Sequence, residues 1–147
     1  ANPVLVTPTC RRRFDKEGKS VNTHGEYPDA IRWVAQKENV PLIELNGMTT
    51  MLCDALGVDG SMKLYVHYPA GTFPGQTREF KDNSHFSTYG AYETAKCVVE
   101  GMKKAKLDIV NYLRADYKGF NPAQPDKFET FKWNLCPFTE IEKPDGN

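Results

Sequence analysis

Two short apolar runs, each fenced by proline and each followed by a helical pattern, constrain this chain most. Pro3-Val4-Leu5-Val6-Thr7 is continuously apolar and closes at Pro8. That is how a strand covered on both faces reads. Pro41-Leu42-Ile43-Glu44-Leu45 repeats the pattern. Between them, Pro28 suits the first turn of a helix. Tyr27, Ile31, Val34 and Glu38 mark one face of that helix, with Ala30 and Trp33 beside it, and it stops at Asn39 before Val40-Pro41. After the second run, Asn46 caps a helix whose stripe is Met48, Met51, Leu52, Ala55 and Leu56, and Gly57 ends it. Strand, helix, strand, helix predicts an α/β chain with a parallel sheet and right-handed crossovers. Two such strands do not make a stable sheet alone. The expected sheet is therefore incomplete here, with an apolar edge for a non-covalent N-terminal fragment or another copy to cover.

Met62 to Tyr68 alternates Met62, Leu64, Val66 and Tyr68 against Lys63, Tyr65 and His67, which reads as an edge strand or extended arm. His67 falls in the outward set, as a solvated surface histidine. Residues 69–76 carry two prolines and two glycines and read as loop. A helix is expected over roughly Thr88 to Ala105, burying Tyr92, Ala95, Val99 and Met102. Another is expected over Leu107 to Tyr117, closed by Lys118-Gly119. Asn121 to Asp126 is a proline-bearing linker. The aromatic stretch Phe128, Phe131, Trp133, Leu135 and Phe138 should pack back on the domain or on whatever follows.

The chemistry concentrates in Lys81-Asp82-Asn83-Ser84-His85-Phe86-Ser87. A carboxylate at i can accept from the Nδ1–H of a histidine at i+3. That bond fixes the tautomer and leaves Nε2 free to take a proton. The plainer reading is that Asp82, Asn83 and Ser84 are capping residues before a helix. Arg11, Arg12 and Arg13 follow the C-terminal end of the first strand, where open α/β sheets place ligand sites. A solvated basic loop is an equally good account of any one of them.

Charge excludes other classes. Lys plus Arg number 19 and Asp plus Glu number 19, so no basic excess argues for nucleic acid. No apolar run approaches the ~20 residues of a membrane span. The first residues lack the charged start and apolar core of a signal peptide. They enter a core strand at once, as if partway through a larger unit. Cys10, Cys53, Cys97 and Cys136 match no zinc or Cys-x-x-Cys spacing, and Cys53 and Cys97 read as buried thiols in helices. The three histidines and scattered carboxylates form no metal-ligand spacing. No Gly-x-Gly-x-x-Gly or Walker loop suggests a cofactor.

Several stretches together resemble the C-terminal half of an SGNH (GDSL-type) hydrolase, of the rhamnogalacturonan acetylesterase kind. They are residues 3–8 with Arg11 to Phe14, Thr23-His24-Gly25-Glu26-Tyr27-Pro28, residues 41–46, and residues 82–91. The resemblance spans roughly residues 3–105. It implies a three-layer α/β/α sandwich with a parallel sheet, incomplete in this chain. Residues 1–106 would be the C-terminal half of the hydrolase domain, and 107–147 a helix plus an aromatic tail. It implies a secreted or periplasmic serine esterase that removes acetyl groups from pectic, rhamnogalacturonan-type carbohydrate, without a cofactor. Asp82 and His85 map onto the family's catalytic pair. Arg12, Arg13 and His24, within the matching stretches, are the expected substrate-binding residues. The family's nucleophile block, Gly-Asp-Ser, and its oxyanion glycine and asparagine blocks are not in the sequence. Asp59-Gly60-Ser61 has the wrong order and reads as a turn. This chain alone is therefore expected to be inactive.

Two other readings compete. A catalytically silent carbohydrate-binding or interaction module would keep the Asp82/His85 geometry and stack sugars on Tyr65, Tyr68, Phe73 and Tyr89. A thiol hydrolase would use Cys10 with His85, and needs an exposed Cys10 of depressed pKa.

Overall fold

A computed structural model describes residues 1–133. Strand β1 (Leu5–Val6) pairs in parallel with β2 (Leu42–Ile43), Leu5 opposite Leu42 and Val6 opposite Ile43. Helix α1 (Tyr27–Lys37) connects them, and α2 (Leu45–Gly60) follows β2. The expected strand-helix order and parallel pairing are therefore present, and the chain is α/β. A 3-10 helix (Ser61–Leu64) leads into β3 (Tyr65–Tyr68). β3 pairs antiparallel with β4 (Phe80–Phe86), which runs into α3 (Thr88–Lys104). Among the described residues no helix is long and apolar enough to cross a membrane.

Several expected details differ. β1 is not covered on both faces, because Val6 is 42% exposed. Glu44, not Asn46, caps α2, accepting from the Gly47 N–H. The same carboxylate takes a two-pronged contact from Arg32 of α1, with both N–O distances 2.7 Å. Gly57 does not end α2 but kinks it, at φ 69°, and the helix resumes to Gly60. The face of α1 marked by Tyr27, Val34 and Trp33 is exposed, and Pro28 and Ala35 are its buried residues.

The faces of α2 and α3 are rotated from the expected stripes. α2 buries Leu45, Thr49, Leu52 and Cys53, while Met51 and Ala55 face out. α3 buries Tyr89, Gly90, Glu93, Thr94, Cys97 and Gly101, while Tyr92 and Ala95 are exposed. The reason is close approach. A Cβ at Gly90 would fall inside the Leu64 carbonyl, and one at Gly101 would lie 2.5 Å from Ile43 Cγ2. Glycines let α3 lie against the Leu64 backbone and the Ile43 side chain, so bulk is not a guide to its inner face.

Leu107 to Tyr117 is not an α-helix. Only a 3-10 turn forms (Asp108–Tyr112), and Leu113 returns to extended backbone. Ile109 and Tyr112 are 55% and 87% exposed, so no apolar face rewards a longer helix. The aromatic stretch does pack back as far as it is described. Phe128 and Phe131 meet the Tyr89 ring edge-on at 5.3 and 5.4 Å. Leu135, Phe138 and Cys136 lie outside the described residues.

A charged cluster fixes this return. Lys96 lies 2.8 Å from fully buried Glu93 and 2.7 Å from Asp126, with Phe120 4.1 Å from its ammonium. Lys96→Ala would strand the Glu93 carboxylate, at a cost of about 3 kcal/mol. A thermal melt of the variant should show a clear fall in Tm. An unchanged Tm would mean that the cluster contributes nothing.

Candidate active site

The β3–β4 hairpin is not regular. Its register runs Tyr65 opposite Phe86, then His67 opposite Lys81, so two steps along β3 face five along β4. The excess is the segment Asp82-Asn83-Ser84-His85, pushed out as a wide bulge. Bulges re-aim side chains out of a sheet, and this one carries both dyad residues.

Asp82 organises the bulge. Its Oδ1 accepts from the backbone N–H groups of Ser84 (2.6 Å) and His85 (3.0 Å), and its Oδ2 accepts from His85 Nδ1 at 2.6 Å. The i, i+3 bond expected from the sequence is therefore made. His85 is 82% exposed, and among the described residues its Nε2 has no hydrogen-bond partner. The donated backbone N–H groups, His85 first and Ser84 next, then the imidazole, pull the Asp82 carboxyl to about 2. The carboxylate form is thus held from neutral pH downward, and is given up only as pH falls from about 4 through about 2. A ¹³C titration of Asp82 should show its midpoint near 2. A midpoint near 4, the ordinary value, would contradict this cradle.

The bulge is held from beneath. The Arg12 N–H donates to the Asn83 carbonyl (2.9 Å), and Arg12 Nη1 donates to Asn83 Oδ1 (3.2 Å). Arg12 Nη2 and Nε donate to the Val58 carbonyl (2.7 Å) and Ser61 Oγ (3.2 Å). His67 Nε2 donates to Asn83 Oδ1 at 2.8 Å. His67 is thus no isolated surface histidine. Nothing in its local sequence shows this, because its partner lies 16 residues on.

The other expected site residues spread out. Arg13 is exposed, and its side chain makes no hydrogen bond among the described residues. His24 Nε2 donates to the Thr9 carbonyl at 2.8 Å, bracing the loop after β1. Arg12 alone of the three is brought to the dyad segment, and its guanidinium is engaged by protein groups. Of the candidate sugar-stacking aromatics, Tyr65 and Tyr89 are buried, at 1% and 2% exposure. Tyr68 and Phe73 stack edge-on at 5.1 Å beside the hairpin's far end.

Among the described residues no hydroxyl hydrogen-bonds to His85. Ser87 Oγ caps α3, accepting from the Gly90 N–H and donating to the Lys63 carbonyl. Ser61 Oγ is tied to the Val58 carbonyl and Arg12. The pKa of Cys10 is lowered by the Cys53 thiol beside it. It is nevertheless buried, bonded to Cys53 and Tyr65, without a hydrogen bond to His85. Among the described residues no three His, Cys, Asp or Glu side chains are placed to hold a metal ion.

This geometry defines a carboxylate–imidazole pair presented by an α/β chain. The sequence is 41% identical over 113 residues to rhamnogalacturonan acetylesterase RhgT of Bacillus subtilis, covering 77% of this chain and 49% of that protein. It is 29% identical, again over 113 residues, to the probable rhamnogalacturonan acetylesterase YesY of the same organism, covering 77% of this chain and 48% of that one. The chain is a homologue of the rhamnogalacturonan acetylesterases, as the resemblance implied, and spans about half the length of the curated relatives it matches. No protein-family model matches it. The crystal structure of protein YXIM of Bacillus subtilis superposes with a TM-score of 0.56 at 24% identity, over 71% of this chain and 26% of that one. That likeness concerns the fold alone.

Proposed function

We propose that this chain is the aspartate- and histidine-bearing part of a carbohydrate acetylesterase of the SGNH (GDSL) type. The completed domain is a three-layer α/β/α sandwich acting on acetylated pectic, rhamnogalacturonan-type polysaccharide outside the cytoplasm. Residues 1–106 contribute its C-terminal half. Residues 107–133 run back along it. The observation that carries this reading is the 2.6 Å Asp82–His85 bond with Nε2 open, in a chain homologous to rhamnogalacturonan acetylesterases.

The chemistry follows from the open nitrogen. A serine supplied from outside this segment passes its proton to His85 Nε2 as its oxygen attacks the acetyl carbonyl. The imidazolium then gives that proton to the departing sugar oxygen, leaving an acetyl-enzyme. Water, deprotonated by the same nitrogen, releases acetate. Asp82 holds the tautomer and stabilises the imidazolium without itself taking the proton. Arg12, Arg13 and His24 lie in or beside the loop after β1, the side from which substrate would approach.

An uncovered apolar cleft supports the need for more chain. Val4, Val6, Pro41, Ile43, Val98 and Met102 line a cavity of about 600 Å³ beside the β1 edge. The preceding half of the domain, or a second copy, would cover it. Acetate release from acetylated rhamnogalacturonan oligosaccharides tests the assignment, using the protein with its upstream sequence restored. Turnover is expected. Sugar binding without turnover would favour a silent carbohydrate-binding module.

A further inference from the structure

The cysteine pair beneath the hairpin has no part in the esterase chemistry. Cys10, in the loop after β1, and Cys53, on the inner face of α2, are separated by 43 positions, yet their sulfurs lie 3.2 Å apart. Both are buried, at 5% and 1% exposure. Their surroundings are fixed. The Cys10 N–H donates to Thr49 Oγ1 at 2.9 Å, and the Cys10 carbonyl accepts from the Tyr65 hydroxyl at 2.8 Å. That hydroxyl is 3.5 Å from each sulfur. The two residues are thus aligned from both sides before any bond joins them.

We propose that Cys10 and Cys53 form a disulfide staple that ties the loop after β1 to α2 under the dyad-bearing hairpin. The geometry asks for little movement, because bonded sulfurs lie about 2.0 Å apart. The staple's position matters for the site. Two residues beyond Cys10, Arg12 holds Asn83 in the bulge. Tyr65, packed on both sulfurs, stands opposite Phe86, the neighbour of His85. Fixing Cys10 therefore fixes the Arg12 brace of the bulge and the Tyr65 position opposite its end.

The oxidant is a small-molecule disulfide such as oxidised glutathione. The Cys10 thiolate attacks one of its sulfurs, breaking that S–S bond and releasing one glutathione, which takes up a proton. Cys53 then loses its proton and attacks the Cys10 sulfur, releasing the second glutathione and forming the protein disulfide. Two electrons pass from the pair to the oxidant. Cys10 takes the first role because it lies on the loop after β1, which opens more readily than helix α2, and because the Cys53 thiol beside it lowers its pKa. Both sulfurs are closed to solvent, so exchange takes place before the loop docks or on local opening.

The test is refolding of the reduced chain in a glutathione redox buffer, followed by denaturation, alkylation and peptide mapping. A Cys10–Cys53 linked peptide is expected, with the oxidised form melting roughly 5–10 °C above the reduced form. Four alkylated cysteines in a folded sample would overturn the proposal. So would a stable glutathione adduct on Cys10 with Cys53 free, or a cross-link that lowers Tm. Cys10→Ser and Cys53→Ser variants should each refold without that linked peptide and without the rise in Tm, and a rise retained in either variant would overturn the staple.

Discussion

His85→Ala should lower kcat/KM for acetate release by the completed enzyme by about 10³-fold or more. The loss follows from one atom. His85 Nε2 is the open end of a bond chain that begins at Asp82, and among the described residues no second imidazole or amine shares its position. Without it, the attacking hydroxyl keeps its proton and the leaving sugar oxygen departs as an alkoxide. The fold should be untouched, because the ring is 82% exposed and packs on little. The matching control is circular dichroism and Tm of the variant beside its activity. Residual activity within tenfold of the parent, on a folded sample, would remove His85 from the mechanism.

Gly90→Ala should be the most damaging single methyl group in the chain. The added carbon would fall inside the Leu64 carbonyl, which is backbone and has no rotamer to yield. That carbonyl also accepts from the Ser87 N–H at 2.9 Å, immediately after β4. Moving it breaks this bond and shifts the start of α3, and with it the anchor just beyond His85. A cost of about 3–5 kcal/mol is expected, from overpacking plus a lost hydrogen bond. Marginal stability makes that a large fraction of the whole. A thermal melt reads it directly, as a Tm fall of ten degrees or more or as loss of soluble protein. A Tm within two degrees of the parent would mean that α3 can back away from Leu64.

The contrast between these residues shows what a sequence can carry. The Asp82–His85 bond was legible because both partners lie within one turn of chain. The parallel pairing of β1 with β2 was legible because two apolar runs that open on proline flank one helix, although their register, Leu5 opposite Leu42, was not. The bulge was not, since it exists only by comparison with the shorter path of β3. Arg12 lay in a recognisable place, yet its partners Val58, Ser61 and Asn83 are 46 to 71 positions away. The faces of α2 and α3 misled because bulk was taken to mark the core. Gly90 packs against the Leu64 backbone and Gly101 against the Ile43 side chain, while Tyr92 turns outward. Leu107 to Tyr117 misled for a related reason. Leu107 packs on the core, but Ile109 and Tyr112 stay exposed, and without a continuous buried face a longer helix does not hold.

In the proposed esterase, Asp82 and His85 are the acid–base half and the nucleophile comes from outside these 147 residues. Fluorophosphonate labelling read by intact mass tests this assignment most directly, with His85→Ala alongside. The folded chain alone should take up no adduct, and the protein with its upstream sequence restored should take up a single adduct that His85→Ala abolishes. A His85-dependent adduct on this chain by itself would contradict it, and would place an activated serine among residues assigned here to caps, turns and braces.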